Sequence, residues 1–397
     1  MREIAKHQLD LSQYQVVIVG AGLFGLTMAE RITSITNTKV LIIEKRSHFG
    51  GNSYSYIEAQ TGIEVHKYGT HLFHTSNEKV WEYVNKFTSF TNYQHKVFSK
   101  YKEKLYPMPI NLETINKFYD KNFSPSEAVN FIQNELKLSQ DTIEKSPQKK
   151  WQNLEEKAIS LVGRDLYNAF IREYTAKQWE TDPKNLPAEI ITRLPFKFNL
   201  DQRYFSDTHE GLPTLGYFSW INRMLASSRI DGVTNLDFHD VKNNIDKSQL
   251  VIYTGSIDSY FNFKYGSLGW RTIDFDLEIH NIRDYQGWSV INYAEECDRF
   301  TRIHEYKHLH PERKEIYEQD KTIIAREFSR KAGMGDEPYY PINTFSDKQQ
   351  LELYRNDIAG LENVIFGGRL GSYQYLDMHM AVASALSIFE ARVKPKL

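Results

Sequence analysis

The chain of 397 residues has a single cysteine, Cys297, so no intramolecular disulfide can form; such usage fits a reducing compartment. It has no stretch of 18 apolar residues, which excludes a transmembrane helix. The opening residues, MREIAKHQLDLSQYQ, lack the apolar core of a secretory signal. Together these absences predict a cytoplasmic protein with no membrane span. An excess of one charge sign is missing too: 49 Lys and Arg face 51 Asp and Glu, for a net charge of −2. That excludes a chain built to coat nucleic acid, and any anionic ligand must be met by individual arginines. Repeats, low-complexity tracts and long linkers are absent, and so is the G-x-S-x-G of a serine hydrolase. Cys297 sits in AEECDRF, a charged setting with no evident partner base.

What is present points to a folded, ligand-binding protein. Hydrophobic residues make up 41%, enough for a sizeable core, and the length allows two or three domains. Aromatic residues are plentiful (25 Tyr, 23 Phe and 6 Trp), available both for the core and as stacking platforms. The stretch VVIVGAGLFGLTMAERI reads as a buried parallel strand, Val16 to Val19, then a glycine turn, then a helix. Gly20, Gly22 and Gly25 form G-x-G-x-x-G. The first glycine permits the tight turn, the second lets a pyrophosphate approach the backbone, and the third lets the helix close on the sheet. The unpaired N–H groups of the helix start then face the phosphates. A second apolar strand, VLIIE, ends at Glu44, 19 residues past Gly25, where a ribose-binding carboxylate is expected.

Downstream residues favour FAD over NAD. In KRSHFGGNSYS, Gly50 and Gly51 follow the acid by six residues, as in the flavoprotein extension of the motif, and Asn52 comes next. Near the C-terminus, NVIFGGRLGSYQYLDMHMAVASAL reads as a strand at about 364–367, a loop and a helix. Asp377 is placed as its N-cap, and Ala381, Ala385 and Leu386 form a small-residue packing face. In FAD proteins of the glutathione-reductase type this last helix aims its N-terminus at the isoalloxazine. An acid often follows the strand there; here Arg369 stands in its place.

The predicted fold class is α/β: an FAD-binding Rossmann-like domain of glutathione-reductase type, with an inserted helical domain and an inserted antiparallel β-sheet domain. The cofactor domain is expected to be discontinuous, over 12–90, 215–260 and 346–397. The helical domain spans 109–185. Ser124, Pro125 and Glu127 there form a capping box, Leu154, Ala158 and Leu161 a stripe ending at Gly163, and Leu166, Phe170 and Tyr174 a continuation. The sheet domain comprises 91–108, 186–214 and 261–345. In it RTIDFDLEIH alternates Ile273, Phe275, Leu277 and Ile279 with polar residues, and TIIAREFSR reads as a strand.

One motif mimics a metal site. HEYKH, His304 to His308, satisfies the zincin pattern, which binds zinc only on a helix. Sheet-like texture and Pro311 surround it. In a strand the two histidines lie about 13 Å apart, too far to share one zinc ion. Glu327, 19 residues past His308, is then a coincidental third ligand. We expect no metal, and read these histidines as solvent-facing or hydrogen-bonded on a sheet.

Seven blocks together carry a more specific signal: GIEVHKYGTHLFHTSN, YTAKQW, ITRLP, RYFSDTHEGLPTLGY, TRIHEY, EPYYPI and GGRLGSYQYLDMH. In this order, with the FAD fingerprint, they span essentially the whole chain, which resembles the bacterial UDP-galactopyranose mutases. The resemblance implies interconversion of UDP-galactopyranose and UDP-galactofuranose, a precursor for surface polysaccharide, with no net redox change. It implies attack of reduced FAD N5 on the anomeric carbon with transient loss of UDP, then ring opening and reclosure. It implies that Arg193 and Arg302 hold the diphosphate, the first on a mobile loop. Tyr174 and Trp179 fall on the uridine side, with Phe170 completing that platform. Tyr204, Tyr340, Tyr375 and Asp377 line the phosphate and sugar pocket. His71 would sit beside the flavin as a donor to the reduced ring, His74 and His95 nearby. Gly20, Gly22, Gly25, Glu44, Gly51, Asn52, Arg369 and Met378 would contact the cofactor, Met378 through its backbone. A separate flavin reductant and a homodimer are also implied. The alternatives are an FAD amine oxidase or desaturase, a non-catalytic nucleotide-binding protein, and a mutase preferring UDP-N-acetylgalactosamine.

Overall fold

Residues 16–19 are apolar at every position, and a strand sends alternate side chains to opposite faces. Such a strand is stable only with both faces covered. In the computed structural model, which describes residues 1–138, 151–193, 196–333 and 335–397, it lies inside a six-stranded sheet. The order is Arg2–Glu3, Ile230–Val233, Val40–Ile43, Val16–Val19, Leu250–Tyr253 and Val364–Phe366, all parallel. Val16, Ile18, Val40 and Ile42 face one core with Leu26, Met28 and Ile32 of the helix Leu23–Ile35 and with Val382 and Ala385 of the helix Met378–Ile388. Val17, Val19, Leu41 and Ile43 face a second core with Leu351 and Tyr354 of the helix Phe345–Ala359. This is the Rossmann-like layer, helices on both faces of a parallel sheet.

A seven-stranded sheet stands beside it, in the order Tyr340–Pro341, Trp270–His280, Thr322–Lys331, Arg302–Glu305, Val290–Tyr293, Val97–Tyr101 and Lys104–Met108. All its pairs are antiparallel except Val290–Tyr293 with Val97–Tyr101, so the expected antiparallel sheet is in fact mixed. The exception joins segments nearly two hundred residues apart, where no hairpin dictates direction. The alternation in RTIDFDLEIH does not translate into burial: Leu277 and Ile279 are 41% and 38% exposed. Tyr340–Pro341 pairs only with Trp270 and Arg271, so the rest of that strand forms the outer edge of the sheet.

The helical segment begins with Leu112–Tyr119, capped reciprocally by Asn111 and Thr114. The predicted capping box opens Pro125–Leu138: Ser124 N–H donates to Glu127 Oε2 at 2.8 Å and Glu127 N–H to Ser124 Oγ at 3.4 Å. The helix Leu154–Val162 buries Leu154, Ala158, Ile159 and Val162, while Leu161 is 41% exposed. Its core-facing stripe runs through Leu154, Ala158 and Val162 at i, i+4 and i+8, which leaves Leu161 off that face, and the same cluster takes in Leu166 of the next helix beyond Gly163 (φ +81°). Between Arg164–Tyr167 and Glu173–Trp179 lies a π turn, Asn168–Arg172. Its extra residue rotates the second of these helices by about 100°. Phe170 therefore packs among Tyr101, Tyr106 and Phe118, while Tyr174, predicted on the same stripe, faces the seven-stranded sheet. Among the described residues no helix is long and apolar enough to cross a membrane.

Candidate active site

Two cavities meet where the layers join. The first, about 740 Å³, opens over the glycine turn and is lined by Gly20, Gly22, Glu44, Arg46, Gly51 and Asn52 among others. Gly20 (φ +94°) has the Thr254 hydroxyl where a side chain would begin. A Cβ on Gly22 would meet nothing within 4 Å, so the backbone there is open to a ligand. Gly51 (φ +56°) packs with its Cα side against Gly22, at 2.8 Å from a notional Cβ. Gly25, expected among the cofactor contacts, is outside the cavity wall. A Cβ there would strike the Gly20 carbonyl, so it serves helix–sheet packing. Glu44 ends its strand as predicted and is buried, with its carboxylate accepting from Ala21 N–H and Arg46 N–H at 2.8 Å each. Burial raises its pKa against the pull of those two donors. Asn52 Oδ1 accepts from Arg46 at 2.9 Å.

The second cavity, about 1110 Å³, lies between the seven-stranded sheet and the helical segment. His71, Arg369, Leu376, Asp377 and Met378 line both cavities and so mark their junction. Met378 opens the last helix, with Asp377 at its N-cap position but making no side-chain cap bond. Arg369 is held by backbone carbonyls, donating to Leu376 O at 2.6 Å and to Tyr339 O at 3.2 Å, and its guanidinium covers the stacked rings of Tyr340 and Tyr375. His71 Nδ1 lies 2.7 Å from the Gly69 carbonyl. A carbonyl only accepts, so Nδ1 carries the proton. Burial lowers the His71 pKa to about 4. In the free protein the imidazole is thus neutral and presents an acceptor at Nε2, where a donor to the reduced ring is expected.

Sheet register assembles the centre of the second cavity. Arg302 pairs across the ladder with Glu327, and His304, two residues on, shares its face. Arg302 Nε lies 3.2 Å from Glu327 Oε1, and its NH2 group donates to the Tyr174 hydroxyl at 2.6 Å. Glu327 is buried, which would raise its pKa, but Arg302 and the His304 contact outweigh burial and lower it to about 2. The carboxylate is therefore ionised, and Arg302, raised by it, stays charged. Phe170, Tyr174, Trp179, Tyr204, Tyr340, Tyr375 and Asp377 all line this cavity, as do His74 and His95. His74 bonds Asp207 at 2.6 Å and stacks on Phe205. Arg193 closes a short 3-10 helix, Ala188–Arg193, and its side chain lies outside the described residues.

Sequence reasoning missed four wall or support residues. Glu327 reads in the sequence as a coincidence of metal-ligand spacing; period-two alternation in TIIAREFSR is the signal that aims it at Arg302. Asn292 sits on the strand beside Arg302 and lines the cavity with a buried Oδ1 that has no bonding partner among the described residues. Thr70 precedes His71 and bonds His304. Lys177 reaches from the helix of Tyr174 into a cage of four carbonyls, Tyr293, Glu295, Asp298 and Phe300, at 2.6 to 3.1 Å. Burial lowers its pKa to about 8. Thr70 and Lys177 fall inside the blocks GIEVHKYGTHLFHTSN and YTAKQW, but nothing in the spacing gives them a role, and Asn292 lies outside every block.

The zincin-like motif falls on a strand and a 3-10 turn, Tyr306–Leu309, not on an α-helix. Its histidines diverge. His304 bonds Glu327 and Thr70, whereas His308 pairs with Asp284 and Glu305.

A sequence profile for UDP-galactopyranose mutase matches residues 169–375, and one for an NAD(P)-binding Rossmann-like domain matches residues 18–87. A Klebsiella pneumoniae protein named probable UDP-galactopyranose mutase is 37% identical over 376 residues, covering 95% of this chain and 94% of that one. The chain belongs to the UDP-galactopyranose mutase family. This makes it an isomerase with a nucleotide-binding Rossmann-like layer. A dTDP-fucopyranose mutase of Escherichia coli stands almost as near, 36% identical over 385 residues, with 96% and 98% of the two chains covered. A crystal structure of a reduced UDP-galactopyranose mutase superposes with a TM-score of 0.73 over 96% of this chain and 94% of that one, at 13% identity, a likeness of fold. Family membership removes the amine oxidase and desaturase readings.

Proposed function

We propose that this mutase interconverts UDP-galactopyranose and UDP-galactofuranose, using reduced FAD seated in the glycine-turn cavity. The observation that carries the reading is the continuity of the two cavities at His71, Asp377 and Met378, with Arg302 fixed in the second by Glu327 and Tyr174. FAD suits the first cavity: Gly22 leaves the backbone open where a pyrophosphate must approach, and Gly51 closes beside it. When bound and reduced, FAD supplies a nucleophilic nitrogen for the anomeric carbon.

The chain's own residues then bind and orient the substrate. Arg302 meets the diphosphate as charge grows on the leaving UDP, and its guanidinium needs no reorientation because two partners already hold it. Arg193 is assigned the other side of the diphosphate. The hydroxyls of Tyr204, Tyr340 and Tyr375 donate to phosphate and sugar oxygens. Tyr174 and Trp179 flank the uridine, and Phe170 backs that wall from its ring cluster. His71 offers its Nε2 lone pair at the junction.

The test is incubation of the protein, oxidised and reduced, with UDP-galactopyranose, followed by chromatography of the nucleotide sugars. A UDP-hexofuranose with the reduced form alone is expected. No furanose, or equal conversion by the oxidised form, overturns the reading. The nearness of the dTDP-fucopyranose mutase motivates a second reading, a 6-deoxyhexose on thymidine diphosphate, and dTDP-fucopyranose in the same assay decides between them by relative kcat/KM.

A further inference from the structure

Thr70, His304 and Glu327 form a continuous hydroxyl–imidazole–carboxylate chain in the wall of the second cavity. Thr70 Oγ1 lies 2.8 Å from His304 Nδ1, and His304 Nε2 lies 2.9 Å from Glu327 Oε2. An ionised carboxylate only accepts, so Nε2 carries a proton and Nδ1 is the nitrogen that exchanges one with Thr70. His304 and Glu327 are buried, whereas Thr70 is partly exposed at the cavity and adjoins His71 at the junction. The array thus has a closed end, at Glu327, and an open end beside the place where sugar and cofactor meet.

We infer that Thr70 and His304 form the proton relay for the sugar's own oxygens when the ring opens and recloses. The inference rests on the mutase reading above. Opening a ring releases an oxygen that needs a proton, and closing the other ring takes a hydroxyl that must lose one. In the first step the pair of the C1–O5 bond moves onto O5, which receives the Thr70 proton, while Thr70 receives the Nδ1 proton of the imidazolium. A bound reduced flavin would supply the electron pair that meets the deficit at the anomeric carbon. In the second step the O4 oxygen uses a lone pair to bond the anomeric carbon. Its proton passes to Thr70, and that of Thr70 to Nδ1. One proton leaves the imidazole and one returns. A threonine hydroxyl suits this role because it donates and accepts at once.

The surroundings of His304 set when it is charged. Burial of the ring disfavours the imidazolium, Glu327 favours it, the Arg302 charge again opposes it, and the net direction in the free protein is a lowered pKa. His66, His71 and His95 also face it, and burial lowers the pKa of each, to about 3, 4 and 3. The ring of Tyr306 lies parallel at 6.1 Å. A diphosphate arriving at Arg302 adds negative charge to this group and draws a proton onto His304.

The experiment separates departure of UDP from ring chemistry. With UDP-galactopyranose carrying ¹⁸O in the anomeric bridge, scrambling of the label into the diphosphate reports departure and return of UDP, and chromatography reports interconversion. In Thr70→Val we expect interconversion to fall by about 10²-fold, with scrambling and the UDP dissociation constant of the oxidised protein within twofold of wild type. His304→Gln should behave alike, and Thr70→Ser should retain both rates. Equal loss of scrambling and interconversion, or loss of neither, overturns the relay. Wild-type protein that neither scrambles nor interconverts overturns the mutase reading instead. Independently of turnover, NMR titration of the His304 imidazole in the oxidised protein should show its pKa rising when UDP binds. An unmoved pKa overturns the proposed charging of the relay.

Discussion

The two cavities are built from the chain in different ways. The glycine-turn cavity takes its wall in short consecutive runs, 19–24, 43–46, 50–53 and 253–256, most of them at strand ends of one parallel sheet. The second cavity is centred on side-chain pairs from remote segments: Thr70 meets His304 across 234 positions, and Arg302 meets Tyr174 across 128. Local spacing specifies the glycine turn of the first, and strand order in the parallel sheet brings the remaining runs to it. Sheet register and ion pairing are needed to specify the second. Energetically the first relies on what is missing, side chains that would fill the turn. The second relies on charges held against one another in a partly buried wall.

Substitutions that act on one cavity and spare the other sharpen this contrast. The largest effect is expected from Arg302→Ala: kcat/KM should fall about 10³-fold, while the flavin absorbance of the purified protein persists. Loss of the flavin together with turnover would mean that the cavities are not separable. Glu327→Gln removes the shared partner of Arg302 and His304 and should cost about 3 kcal/mol of stability, read by denaturant unfolding. This carboxyl is held at about 2 in the folded chain, below its unfolded value near 4.3. Its contribution is complete above that unfolded value and is lost as pH falls towards 2, so the variant should lack this component of acid destabilisation.

Gly22→Val is the mirror test. Its backbone is in the ordinary extended region and its notional Cβ meets no protein atom, so the fold should tolerate it. FAD affinity should drop about 10²-fold, or roughly 2.7 kcal/mol, with UDP affinity of the protein unchanged by calorimetry. Lys177→Met strips four carbonyls of their ammonium and should cost about 2 kcal/mol in unfolding experiments. Weakened UDP binding is expected with it, because the 293–300 segment leads into Arg302. The smallest effect belongs to His308. Burial opposes its charge, but Glu305 and Asp284 outweigh burial and raise its pKa. Its contribution is present below about pH 6.5 and fades as pH climbs through the raised value. His308→Gln should cost under about 1 kcal/mol at pH 6 and nothing measurable at pH 9. A chelator should leave activity intact, and a loss restored by zinc would contradict the reading of HEYKH.

The strand, glycine turn and helix from Val16 to Ile35 are legible in the sequence because each depends on neighbours within a few residues. The capping box at Ser124 is legible for the same reason. Patterning fails where burial depends on distant partners. Leu277 and Ile279 alternate as a buried strand should, yet both stay exposed in the fold. Phe170 and Tyr174 share a helical spacing, yet a π turn aims them at different walls. His71 lines both cavities, but its donor or acceptor character in the free protein depends on the Gly69 carbonyl and on burial.

Read alone, the chain specifies a glycine turn for a dinucleotide and, through seven spaced blocks, membership of a mutase family. Both are matters of residue type at short spacing, which survive without coordinates. The pairing of Arg302 with Glu327, the chain from Thr70 through His304, and the junction of the two cavities are decided only when strands from opposite ends of the sequence are laid in register. Charges interact through space over a few ångströms, and the sequence lists order along the chain, not distance.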